Sequence, residues 1–143
     1  MSLSPSLARI FRETTGKADR LENGFDLVAA IREGLPASAV DNLVKSGKLT
    51  LLEIDKVVLP RKTLAHRRQI GTLTQGQGDR VVRVMRVIAL AEDTFGNEVK
   101  AGTWLRRPTV ALHGEAPIEL LDTDEGAREV ETILTRIAHG IAA

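Results

Sequence analysis

LTLLEIDKVVLPRKTLAHRRQ, residues 49–69, is the stretch on which the fold of this chain turns. Its first half places Leu51, Leu52, Ile54 and Val57 at helical spacing, and Thr50 with Glu53 three residues later forms a capping-box pattern ahead of them. Leu59-Pro60 then interrupts the helix, because the proline ring disfavours helical backbone in the residue before it. A second helix is predicted over 61–70, where Arg61, Lys62, Thr63, His66, Arg67 and Arg68 surround Leu64. A packing helix, a tight turn and a polar, basic helix make the pattern of a helix-turn-helix. The first helix braces, and the second offers its amino-terminal side chains to base edges in a major groove. Arg and Lys suit guanine or phosphate, and Thr reaches a phosphate or a thymine methyl. These six residues are the candidate DNA contacts, with Leu64 and Ile70 as anchors to the core. A solvated basic helix face is the plainer reading of the same run.

Outward from this motif, helical spacing dominates and strand signals are nearly absent. A helix over 25–33 stops at Gly34, and Pro36 opens another that Gly47 closes. The glycine-rich GTLTQGQG reads as a flexible connector, with Asp79 capping a long helix over 80–95. Further helices are expected over 97–107 (ended by Pro108), near 118–121, and over about 124–139, with Asp122, Thr123 or Asp124 as the last cap. Residues 1–22 show weak periodicity and read as a partly ordered arm. The expected fold is all-α: an arm (1–23), a helix-turn-helix lobe (24–78), and a small helical lobe that includes the linking helix (79–143). That long helix is apolar on two sides, with Val81, Val84, Met85, Ile88 and Phe95 on one and Val82, Val87 and Leu90 on the other. Such a helix lies in the middle of a fold or at a subunit interface. Trp104, the single tryptophan, is assigned to the core of the second lobe.

Composition is consistent with a globular chain: 143 residues, 43% hydrophobic, net charge +1. The charge is uneven. Residues 1–80 carry 13 Lys/Arg against 9 Asp/Glu, and residues 81–143 carry 7 against 10, so a basic half of +4 precedes an acidic half of −3. Arg80, Arg83 and Arg86 are spaced to share a helix face and extend the basic region, unless they pair with Asp79, Glu92 or Asp93. No apolar run approaches the ~20 residues of a membrane span. The amino terminus lacks the order of a signal peptide, and the absence of cysteine removes any disulfide framework. A cytoplasmic protein is expected.

Catalytic chemistry finds little support. His66, His113 and His139 are far apart with no metal-ligand spacing, and the glycine-rich connector lacks the Lys-Ser/Thr of a phosphate loop. Asp122, Asp124 and Glu125 suit the positive end of a helix better than an active site. No catalytic residue, metal site or cofactor is expected.

The second half, FGNEVKAGTWLRRPTVALHGEAPIELLDTDEGAREVETILTRIAHGIAA, carries a more specific pattern. Phe95-Gly96, Ala101, Trp104-Leu105, Pro108, Leu112, Gly114, Pro117, Leu120-Leu121, Gly126, Val130, Leu134, Ile137 and Gly140 resemble, in order, the toxin-binding domain of Xre-type antitoxins. These are the antitoxins paired with RES-domain toxins, including ParS-like and MbcA-like proteins. Upstream, Gly34 to Pro36, RKTLAHRR and GDRVVRV resemble the same family's helix-turn-helix and linking helix. The resemblance runs from about Gly24 onward. His113 departs from it, standing where many relatives have a second glycine.

The resemblance implies a homodimeric antitoxin. Its carboxy-terminal domain would cover the active site of a toxin that consumes or transfers from NAD, and its amino-terminal domain would repress its own operon. The contact for the toxin is expected along the last helix and tail, at Glu129, Ile133, Arg136, Ile137, His139, Gly140 and Ile141. Val130, Ile133, Leu134 and Ile137 could equally close the hydrophobic core. The alternative function is a stand-alone helix-turn-helix regulator without a toxin partner.

Overall fold

The structure, a computed structural model, describes residues 3–17 and 21–140. Its helices are α1 (Pro5–Thr15), α2 (Gly24–Glu33), α3 (Ser38–Lys45), α4 (Leu51–Val57), α5 (Arg61–Ile70), α6 (Gln75–Phe95), α7 (Glu98–Leu105) and α8 (Asp124–Ala138). Two 3-10 segments, Val110–Leu112 and Pro117–Asp122, join α7 to α8. Extended pairing among the described residues is limited to one isolated bridge, Pro36 to Thr72. The all-α expectation is met. No helix among the described residues is long and apolar enough to cross a membrane.

Local chemistry explains most boundaries. Thr50 and Glu53 form the capping box of α4, with bonds of 2.9 and 3.1 Å. Asn97 caps α7, and Thr123 is the residue that caps α8. Each removes an N–H that the first helical turn leaves without a partner.

Two expectations fail. Residues 5–15 form a packed helix, not a partly ordered arm: Ser4 caps it, and Leu7, Ala8, Ile10 and Phe11 are buried against α3 and α6. Leu7, Ile10, Phe11 and Thr14 share one helical face behind Ser4 and Pro5, and α3 and α6 receive that face and order it. The long helix starts at Gln75, not Arg80. Thr74 and Gln77 make its capping box, and Asp79 is an exposed residue inside it. Each helical glycine costs about 1 kcal/mol relative to alanine, yet burial of Gln77 and the seating of Gly78 against Leu35 hold this turn helical.

α6 is the axis of the fold, with α1, α2, α7 and α8 packed around it. Val81, Val82, Val84, Met85, Val87 and Ile88 are all buried within the chain's own core. Of the eight apolar residues on its two sides only Leu90 and Phe95 are half-buried, so most of both sides packs within the chain itself and is closed to a second copy. One hydrophobic cluster runs from Leu7 to Leu134 and joins both halves. Trp104 is only half-buried at its edge, with its ring centroid 5.7 Å from that of Phe95.

Two backbone positions near α8 are demanding. A Cβ on Gly126 would stand 1.9 Å from the Leu120 carbonyl oxygen, so glycine is required there by close approach. His113 is the only non-glycine with positive φ among the described residues, at 58°, and Gly114 follows at 83°. Glycine at 113 would adopt this left-handed turn at least cost.

Candidate nucleic-acid interface and partner surface

The turn between α4 and α5 is three residues long, and Val58, Leu59 and Leu64 bury it against the core. Ile70 is 52% exposed and does not serve as the second anchor. Pro60 occupies the cap position of α5 without a side chain able to accept a hydrogen bond. Asp55 of α4 substitutes for it, accepting the Arg61 backbone N–H at 2.9 Å. This carboxylate faces the positive end of α5 and sets its entry angle.

The six candidate contacts divide. Arg61, Lys62 and His66 are exposed, and among the described residues their side chains have no hydrogen bond or ion pair. Thr63 is half-buried beside them. Arg67 turns back, donating from Nε to the Thr72 carbonyl at 2.7 Å. Arg68 grips Asp41 of α3, with Nη2 2.6 Å and Nε 3.2 Å from Oδ1. Those two arginines hold α5 to the rest of the lobe, which leaves three cationic or titratable groups on its open face.

Arg80, Arg83 and Arg86 do not extend that face. Arg80 donates to the Val58 carbonyl at 2.7 Å, and Arg83 lies 3.9 Å from Asp124 and 3.5 Å from the Asp122 carbonyl. Their partners are neither Asp79, Glu92 nor Asp93. These bonds tie the linking helix to the end of α4 and the start of α8. Arg86 is exposed elsewhere on α6.

In the second half, the last helix resolves into a core side and an open side. Val130, Ile133 and Leu134 are buried, and Ile137 is half-buried against the same core. Ile133 is only 5% exposed, so it is not available to a partner as the sequence suggested. Glu129, Arg136, His139 and Gly140 are exposed. Ile141 lies outside the described residues. Glu129 also borders a groove of about 360 Å³ between the 3-10 loop and α8, lined by Leu112, His113, Leu120, Glu115 and Glu125. Val110 at the tip of this loop is 95% exposed, and Val99 on α7 is also exposed. No periodicity surrounds Val110, so nothing in the sequence marks it as a surface residue.

The two halves are braced to each other. Arg106, at the end of α7, makes a bidentate pair with Glu53 of α4 at 2.8 and 2.9 Å and also reaches the Lys48 carbonyl. Burial pushes the Glu53 carboxyl up, but hydrogen bonds from Arg106 and Thr50 outweigh it and hold the group below its ordinary value of 4.5. A carboxyl whose folded pKa is depressed adds stability above its unfolded pKa and loses it as pH falls through the folded one. The stability gap between the native chain and Glu53→Gln should therefore be full at pH 7 and shrink as pH falls below about 4.5. Urea midpoints across that range measure it, and a gap independent of pH would refute the assignment.

Comparisons with known proteins match the chain in two parts that meet inside α6. Residues 26–86 match the family model of the antitoxin Xre-like helix-turn-helix domain, and residues 90–140 match that of the antitoxin Xre/MbcA/ParS C-terminal toxin-binding domain. The Antitoxin Xre of Pseudomonas putida is 34% identical over 121 residues, covering 84% of this chain and 76% of that protein. The Antitoxin Xre of Photorhabdus laumondii is 34% identical over 125 residues, covering 85% and 84%. A Prs ADP-ribosylating antitoxin of a Sphingobium species is 28% identical over 134 residues, covering 82% and 81%.

Proposed function

This chain belongs to the Xre antitoxin family, and from that premise we propose that it inhibits a RES-domain toxin by occluding its active site and represses its own operon as a homodimer. The toxin consumes NAD or transfers ADP-ribose from it. The Sphingobium relative supports this chemistry, since its name joins an antitoxin to ADP-ribosylation, which draws on NAD. The observation that carries the reading is the separation of two open surfaces on one braced body. α5 packs on α4 and α8 on α6 and the 117–122 segment, which α4 also touches, while α5 and α8 share no substantial contact among the described residues. On this reading DNA and toxin engage different helices. A two-fold protein then presents α5 to half-sites one helical turn, ~34 Å, or a multiple apart.

On this reading the toxin contact comprises Glu129, Arg136, His139, Gly140 and the tail beyond. Arg136 offers a planar fork to carboxylates or phosphates, and the small residues after it fit a narrow cleft. Removing residues 139–143 tests it. Val130, Ile133 and Leu134 stay in place, so the shortened chain should keep its thermal midpoint and its operator affinity. It should no longer rescue cells that express the neighbouring toxin. If the shortened chain still forms an inhibited complex, occlusion is carried by another surface, such as the groove beside Glu129.

A further inference from the structure

With most of the apolar surface of α6 packed within its own chain, a dimer needs a further apolar surface, and α2 carries one. Leu27 and Ala30 bury one side of this helix, whereas Gly24, Phe25, Val28 and Ala29 are exposed on the other, flanked by the half-exposed Asp26 and followed by the exposed Arg32. Phe25 is 82% exposed, and no described residue covers it. The exposed phenyl ring beside a valine and two small residues makes a contiguous apolar patch of the kind that marks a contact face. Immediately beside it lies a groove of about 470 Å³ between the start of α1, α2, α6 and α8. Leu3, Leu7 and Leu90 form its apolar walls, and Arg86, Asp93 and Glu131 its rim.

A protruding ring and a groove able to receive one therefore occupy adjacent positions on one face, Gly24 belonging to both. That is the self-complementarity an isologous two-fold contact requires, because each copy supplies the same knob and the same socket. Charge agrees: the rim carries a cation next to two anions, so a second copy turned about a two-fold axis can set unlike charges against each other. Arg86 has no ion pair among the described residues, although Asp93 accepts from Ser6. The small side chains at Gly24 and Ala29 permit two α2 helices to approach closely.

We propose that the outer face of α2 and the groove beside it form the two-fold contact of the homodimer, each Phe25 ring seated in the groove of the second copy. The proposal rests on the homodimer reading above and leaves α5 and the end of α8 open. Light scattering or sedimentation of the full chain tests it with Phe25→Glu, Arg86→Glu and the control Val99→Glu, which alters an equally exposed residue on α7. A central aromatic anchor is worth at least about 30-fold in association, so Phe25→Glu should be a monomer at micromolar concentration with unchanged helicity. Arg86→Glu should weaken the dimer, and Val99→Glu should leave it intact. Operator binding by Phe25→Glu should fall while toxin neutralisation persists. A native chain that is itself monomeric overturns the homodimer reading. A native dimer that survives both Phe25→Glu and Arg86→Glu overturns this surface alone, as does a dimer lost only in Val99→Glu. Should Phe25→Glu fail to fold, Phe25→Ser with Arg86→Glu decides on the same readout.

Discussion

Replacing Glu92 by alanine should destabilise the protein by roughly 3 kcal/mol or more, the cost of leaving a buried charge without its partner. Glu92 and Lys48 are among the least exposed charged side chains of the fold, at 7% and 10%, and they are in direct contact. Arg9 lies 3.3 Å from Glu92, and Glu98 lies 3.2 Å from Lys48 and 3.5 Å from Arg9. The four charges come from α1, the loop between α3 and α4, α6 and α7, so the network fastens the amino-terminal helix and the DNA-facing lobe to the second half. In Glu92→Ala, Lys48 keeps only the more exposed Glu98, which sets the loss toward the low end of the 3–5 kcal/mol seen when buried pairs are broken. The doubly apolar variant Glu92→Met/Lys48→Met removes both charges and should return close to native stability, since desolvation cost and Coulomb gain vanish together. Urea unfolding of the two variants measures both values. A loss below about 1 kcal/mol for Glu92→Ala would mean that water solvates this network and that it is no more than a surface pair.

The double substitution Arg61→Ala/Lys62→Ala should weaken operator binding by roughly 2–6 kcal/mol, taking 1–3 kcal/mol for each lost base or phosphate contact. The structure adds what should not change. Both side chains are exposed and unpaired among the described residues, and the Asp55 cap uses the Arg61 backbone N–H, which alanine retains. Stability should therefore stay within about 0.5 kcal/mol, the ordinary range for surface substitutions, and toxin neutralisation should persist. Each lost phosphate contact should also flatten the dependence of log K on log salt by about 0.9. Arg68→Ala makes an informative contrast: it breaks the bidentate pair with Asp41 and should lower stability as well as affinity. Fluorescence anisotropy on operator DNA across a salt series reads these effects. Native affinity with a native salt slope in the double variant would remove α5 from the DNA interface.

Much of the candidate DNA surface was legible in the sequence because it depends on neighbours within one helical turn. The run of cations after Pro60, the spacing around Leu64 and the Thr50–Glu53 box are all local features. What the sequence did not reveal is which cations are free. Arg67 and Arg68 look equivalent to Arg61 and Lys62 in the linear pattern, and Arg80 and Arg83 look like an extension of them. Their acceptors are Thr72, Asp41, Val58 and Asp124, chosen by how helices meet. The same holds for the last helix, where one amphipathic stripe is compatible with a core or with a partner. Burial of Ile133 decides for the core at that position.

By itself, then, the sequence determined what local forces control: an all-helical chain, the cap at Thr50, the basic second helix of a helix-turn-helix, and the ordered motifs that mark its family. Those follow from i to i+4 contacts, capping and proline geometry, which need no knowledge of the rest of the fold. The Thr74–Gln77 box that starts α6 is likewise a local feature, but only the tertiary structure decided that α1 packs on α3 and α6 and that most of the apolar surface of α6 is buried. It alone placed Phe25 in solvent and required glycine at 126. The physical reason is distance along the chain. Arg68 meets Asp41 across 27 residues and Arg9 meets Glu92 across 83. Whether a side chain is buried, paired or free is set by which remote surface arrives beside it, and no local pattern contains that information.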